Sequence, residues 1–250
     1  MFAVKMKKLA TALPVLLLCV ATPVSAADMS FSTVAYTDAG ISTSGALVGA
    51  LNPVADATIN TVPFAALTDP NAGPLALSGT VTLSIFGDTS NHTGPAGGGA
   101  GLLSDFAFDA TVPVGNGALT FAGLTDGQQY QLQLVMFDSR NFGSEINIWG
   151  DQTDKTGAAD VSENIEDVLS ADPPDPSDEG PKLITATFTA DGTTQSLYTQ
   201  LETKRGFVGM FDGHFNALQL REIPEPSSVA LFGLGALCLG VLGGRQKKTK

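Results

Sequence analysis

Between residues 27 and 225 the chain has no cysteine; Cys19 and Cys238 lie outside that stretch, one near each end. Their absence excludes disulfides and thiolate metal sites from the middle of the chain. Histidine is nearly missing too, with His92 and His214 alone, beside one tryptophan, Trp149, and three tyrosines. So few rings make a poor sugar-stacking tunnel. Positive charge is also scarce. The 27–225 stretch holds all 25 acidic residues and only six basic ones (Arg140, Lys155, Lys182, Lys204, Arg205 and Arg221), a net charge of −19. Such a surface excludes nucleic acid, whose phosphates need a basic face. It stays soluble and attracts divalent cations. Charged residues make up 15% of the chain, too few for a coiled coil or charge-driven disorder. About 200 residues suffice to bury a core without covalent staples.

The two ends read as addresses. Lys5, Lys7 and Lys8 precede the apolar run 9–20 (LATALPVLLLCV), and Val24, Ser25 and Ala26 place small residues at a processing site. The pattern predicts a secretory signal peptide over 1–26, cut after Ala26 by signal peptidase. At the other end, 229–242 (VALFGLGALCLGVL) is apolar and uncharged, extending to 18 uncharged residues over 227–244. This is enough for a single transmembrane helix. Arg245, Lys247, Lys248 and Lys250 follow, so the body lies on the outer side of the membrane.

Pro224-Glu225-Pro226, a Gly/Leu-rich span and a basic tail together resemble the PEP-CTERM protein-sorting signal, over residues 223–250. Ile223 stands where that family often has Val. The resemblance implies an inner-membrane exosortase as processing partner and cleavage near the motif. It also implies delivery to the cell surface or extracellular matrix of a Gram-negative bacterium, often one that makes exopolysaccharide. Two prolines hold such a motif extended.

The body, 27–222, is expected to be all-β. Short strands are predicted over 58–64, 75–86 with Gly79 at a bend, 129–137, 183–190, 195–201, 207–211 and 215–221. In 129–137, Tyr130, Leu132, Leu134 and Met136 alternate with Gln129, Gln131 and Gln133, the period of a half-buried strand. Asp191-Gly192 between 183–190 and 195–201 predicts a hairpin. The spacing of Val161, Ile165, Val168 and Leu169 predicts one short helix over 158–170. The Gly-rich segment 87–101 is expected to be a mobile loop, and the acidic Pro-rich segment 172–181 an extended, exposed one. Many short strands with Gly/Pro punctuation predict an antiparallel β-sandwich.

The ordered segments ISTSGALVGALN, INTVPF, LTFAGLTDGQQYQLQLVMFDSR, LITATFTADGTTQSLYTQL and FNALQLREIPEP resemble extracellular jelly-roll domains of PEP-CTERM and planctomycete-type surface proteins. The resemblance implies a jelly-roll-like, carbohydrate-module-like sandwich in which Leu124 and Tyr130 pin a turn against the core. It carries over no catalytic residue, because fold does not fix function.

Chemistry is sparsely signalled. No GxSxG elbow is present, and His214 has Asp212 only two residues away, so no catalytic residue is assigned. Asp138 and Arg140 at the end of the 129–137 strand, with Trp149 beyond, are the candidate ligand-binding residues: polar groups beside an aromatic platform suit a sugar. The competing reading is an internal Asp138–Arg140 contact beside a core tryptophan. Asp151, Asp154 and Asp160, or Asp172, Asp175 and Asp178, are candidate ligands for a structural Ca²⁺, against the plainer reading of solvated loop charge. No other cofactor is expected. The sequence therefore predicts a non-catalytic surface or matrix protein that touches exopolysaccharide. A secreted polysaccharide hydrolase and an acidic Ca²⁺-binding structural matrix protein are the alternatives.

Overall fold

A computed structural model of the chain describes residues 29–53, 55–67, 73–85, 89–93, 101–103, 105–109, 117–138, 144–150, 157–165, 180–203 and 209–224. Over 89–93, 105–109 and 209–212 it describes the backbone. The strands in chain order are β1 Ser30–Ala35, β2 Ala46–Asn52, β3 Ala57–Ile59, β4 Val62–Ala66, β5 Leu75–Ser78, β6 Val81–Ile85, β7 Thr89–Thr93, β8 Asp105–Asp109 and β9 Ala118–Ala122. They continue with β10 Gln129–Met136, β11 Ser144–Gly150, β12 Val161–Asn164, β13 Lys182–Thr189, β14 Thr194–Thr203, β15 Gly209–Asp212, β16 His214–Phe215 and β17 Ala217–Glu222.

These strands build a sandwich. One sheet has the order β1-β13-β10-β17-β2-β4-β3, and the other β12-β11-β14-β9-β6-β5, with β15 also on β14. A small sheet, β16-β8-β7, joins them. The pairing is antiparallel except for β2 with β4, which run parallel over Leu51–Ala65 and Asn52–Ala66. The core follows from the period of two. Tyr130, Leu132, Leu134 and Met136 of β10, with Ile184, Ala186 and Phe188 of β13, face Phe121, Ile146, Ile148, Leu197 and Leu201 of the other sheet. The rings of Tyr130 and Phe188 stack with centroids 5.7 Å apart. Leu124 is buried, and the Thr125 N–H donates to the Tyr130 hydroxyl oxygen at 3.0 Å. The turn before β10 is thus pinned as the jelly-roll resemblance implies.

The outer face of the first sheet is covered as well. Ile41, Ala50, Val62, Phe64, Leu102, Val135, Leu183 and Ala217 form a second apolar cluster there. For this reason β10 is not half-buried along its whole length: Gln133 and Val135 are both buried. Burial of the glutamines is offset by hydrogen bonds to the segment before β2. The Gln133 Oε1 accepts from Ser42 N at 2.8 Å, and Gln133 Nε2 donates to Gly40 O at 3.2 Å. Gln219 Nε2 donates to Ser42 O at 3.2 Å and also to Gln133 Oε1. Arg221 is buried beside them, donating to Gly45 O at 3.0 Å and to Gln219 Oε1 at 3.2 Å. Desolvation lowers its pKa from the usual guanidinium value.

Several expectations are corrected. The predicted helix over 158–170 is a strand over Val161–Asn164, paired antiparallel with β11. Val161 and Ile165 are both buried, and their four-residue spacing serves a strand face as well as a helix face. Residues 166–170 lie outside the described residues. Asp191-Gly192 does not close a hairpin, because β13 and β14 belong to opposite sheets. The link crosses the sandwich and bonds to the turn before β10, with Gly127 N donating to Ala190 O at 2.7 Å and Leu124 N to Thr193 O at 3.1 Å. The Gly-rich segment 87–101 contains a strand, β7, paired with β8. Conversely, 58–64 is a hairpin, β3 and β4 joined at Asn60-Thr61, and Gly79 turns the chain between β5 and β6. The acidic segment 172–179 lies outside the described residues.

Candidate functional site

The last strand leads directly into the Pro-Glu-Pro triplet. Alternating Leu218 and Leu220 bury one face of β17, and Ala217, Gln219 and Arg221 are buried on the other, so the strand is central in its sheet. It pairs with β10 on one side and β2 on the other. Its exit is clamped. The Ile223 N–H donates to Gln129 O at 2.9 Å. Gln128 Nε2 donates to Ile223 O at 2.7 Å and to Gln129 O at 2.9 Å. On the opposite flank Gly45, at φ +78°, approaches so closely that a Cβ there would stand 2.1 Å from Glu222 O. Pro224 then emerges exposed. Having no N–H, it cannot extend the ladder. Glu225 and Pro226 lie outside the described residues. Gln128 and Gly45 were not singled out by sequence. A glutamine ahead of a strand carries no signal of its own, and its partner is 95 residues away.

Of the three residues expected to bind a ligand, Asp138 and Trp149 are described, and these two lie apart. Asp138 is fully buried; its Oδ2 accepts from Ser144 Oγ at 2.7 Å, and its N–H donates to Ile165 O at 3.0 Å. Around it, Phe137 N donates to Asn216 Oδ1 at 2.6 Å, and His214 N to Thr199 Oγ1 at 3.0 Å. His214 Nε2 lies 3.0 Å from Phe137 O. A carbonyl only accepts, so that nitrogen carries the hydrogen. These buried contacts tie β10, β11, β14, β16 and β17 together at one end of the sandwich. His214 is fully buried. Trp149 sits five residues along β11 from Ser144, about 17 Å away. It is buried too, with Nε1 donating to Gly157 O at 3.3 Å. Arg140 lies outside the described residues. Asp138 therefore lies beside the start of β11 and Trp149 near its end.

Of the candidate Ca²⁺ ligands, Asp160 is described, and its Oδ2 accepts from Gly150 N at 2.8 Å. Asp151, Asp154, Asp172, Asp175 and Asp178 lie outside. Among the described residues no three His, Cys, Asp or Glu side chains are placed to hold a metal. A cleft of about 640 Å³ opens between β2 and the β3–β4 hairpin, lined among others by Gly49, Phe64 and Leu77. Among the described residues Asp56 is the one carboxylate in its lining, and its Oδ1 accepts from Ala66 N at 2.7 Å. Glycoside hydrolysis by two opposed carboxyl groups finds no pair there.

Residues 222–248 match the family model described as the PEP-CTERM protein-sorting motif. The chain carries a PEP-CTERM sorting signal. That signal implies an exported protein, held at the membrane while an exosortase processes it, and then a surface location. The apolar run 229–242 lies outside the described residues, among which no helix is long and apolar enough to cross a membrane. No curated protein is significantly similar to this chain in sequence. Among solved structures, the sandwich is similar to a calcium-binding mutant of Bacteroides uniformis beta-glucuronidase 2. The identity is 13% and the TM-score 0.42, covering 70% of this chain and 18% of that one.

Proposed function

We propose that this PEP-CTERM protein is a non-catalytic component of the cell surface or extracellular matrix, whose working part is the sandwich over 27–222. One observation carries the reading: the sorting motif at 222–248 begins on Glu222, the final residue of a central strand and itself paired to both neighbours, so removing the tail leaves the sheet whole. Signal peptidase removes 1–26 in this reading, and the membrane holds the precursor through 227–244 until the exosortase acts.

Contact with exopolysaccharide is part of the proposal. The net charge of −19 restricts it to a neutral glycan or an anionic one bridged by divalent cations. Mature protein purified from its host is expected to be retained on the host's own exopolysaccharide, and EDTA in a parallel column separates the two cases. Passage through the column with and without Ca²⁺, by protein whose circular dichroism shows a folded β spectrum, retires the glycan part. It leaves the surface location standing.

A further inference from the structure

We propose that the fold itself sets the processing boundary. On this view β17 and the Gln128–Gln129 clamp shield every peptide bond up to Ile223, so the exosortase cuts C-terminal to Pro224 and the released sandwich keeps Ile223. The inference rests on the processing reading above and deepens it.

A protease needs backbone that is free to be drawn out straight, and folded chain supplies it only by local opening. Leu218 to Glu222 are paired on both sides, with one register shift against β2 between Leu220 and Arg221, and Tyr130 and Ala46 still face Glu222 at the end of the strand. Ile223 adds one more rung: its N–H is held by Gln129 O and its carbonyl by Gln128 Nε2. Gly45 closes over the Glu222 carbonyl with no side chain between them. The ladder stops at Pro224, which has no donor and is exposed. Pro226 prevents it from resuming two residues later. The first bond that is both outside the ladder and next to the motif therefore follows Pro224. In the reaction that peptide bond breaks, the acyl carbon takes the oxygen of a water molecule, and the departing amine takes the proton.

The arrangement also fixes where cutting happens. From Pro224 to Val229, the start of the apolar run, five residues span at most about 18 Å. Once the clamp fixes Ile223, chain length alone keeps the motif within that distance of the apolar run. Gln128 is a positioning residue for processing, acting through Ile223.

The test uses the full chain exported by a strain lacking the exosortase, solubilised in mild detergent and treated with trypsin. Arg221 is buried inside the shielded strand, whereas Arg245 follows the apolar run. The peptide beginning at Glu222 is expected to appear at least ten times more slowly than cleavage at Arg245. Gln128→Ala should speed its appearance about five-fold, the effect of losing one or two hydrogen bonds, without changing the rate at Arg245. In a strain that has the exosortase, the C-terminal peptide of the mature protein should end at Pro224 or later. A mature terminus at Ile223 or earlier, with the trypsin pattern intact, overturns the boundary alone. Equal trypsin rates overturn the shielding. Lys250 retained in the exosortase-containing strain overturns the processing reading and the boundary together.

Discussion

Thr61 stands at φ 65° and Asn60 beside it at φ 46°, the two residues that turn β3 into β4. A two-residue hairpin asks for positive φ at both places, which suits glycine and asparagine but not a β-branched side chain. Asn60 is rewarded by a 2.7 Å bond from its Nδ2 to Ile41 O; Thr61 is exposed. Thr61→Gly should therefore stabilise the protein by about 0.5 kcal/mol, relief of left-handed strain less the extra chain entropy of glycine, as a higher urea midpoint. Because the turn lacks glycine, the sequence over 58–64 has the look of a single strand. Tyr130 was legible: the Leu124…Tyr130 pattern places its hydroxyl on the Thr125 N–H. Tyr130→Phe keeps the ring in the core and strands that N–H. A loss of about 1–2 kcal/mol with an unchanged denaturant slope is expected.

At the level of elements, the strands with clean alternation were the readable ones. In β13, Ile184, Ala186 and Phe188 point into the core and Thr185, Thr187 and Thr189 away from it, as their period requires. Pairing partners were not readable. Asp191-Gly192 looks the same whether the next strand folds back beside β13 or crosses to the other sheet, since four residues reach across the roughly 10 Å between sheets. Glutamines on β10 looked solvent-facing because nothing local announces the 40–44 segment that covers Gln133. β11 (SEINIWG) was missed, its alternation of Ile146 and Ile148 being short and flanked by polar residues. The doubly covered strands should resist opening most. Amide exchange is expected to be slowest in β10 and β17 and fastest in β12 and β5, which sit at sheet edges. Comparable protection of β12 and β10 would contradict the sheet order.

For the whole molecule, destination was far more legible than chemistry. The sorting motif is a run of contiguous residues, whereas a binding site is assembled by folding. Asp138 and Trp149 are 11 residues apart in sequence, yet Asp138 bonds to Ser144 at the start of β11 and Trp149 lies near the strand's other end. What folding assembled instead, around Ile223, joins Gly45, Gln128 and β17 from distant parts of the chain. Under the proposed function an acidic sandwich is the durable product and both termini are removed. Intact mass of the protein recovered outside the inner membrane tests this most directly. The predicted species starts at Ala27 and ends at Pro224 or a few residues beyond. A species carrying the Arg245–Lys250 tail in cells that contain the exosortase would contradict it.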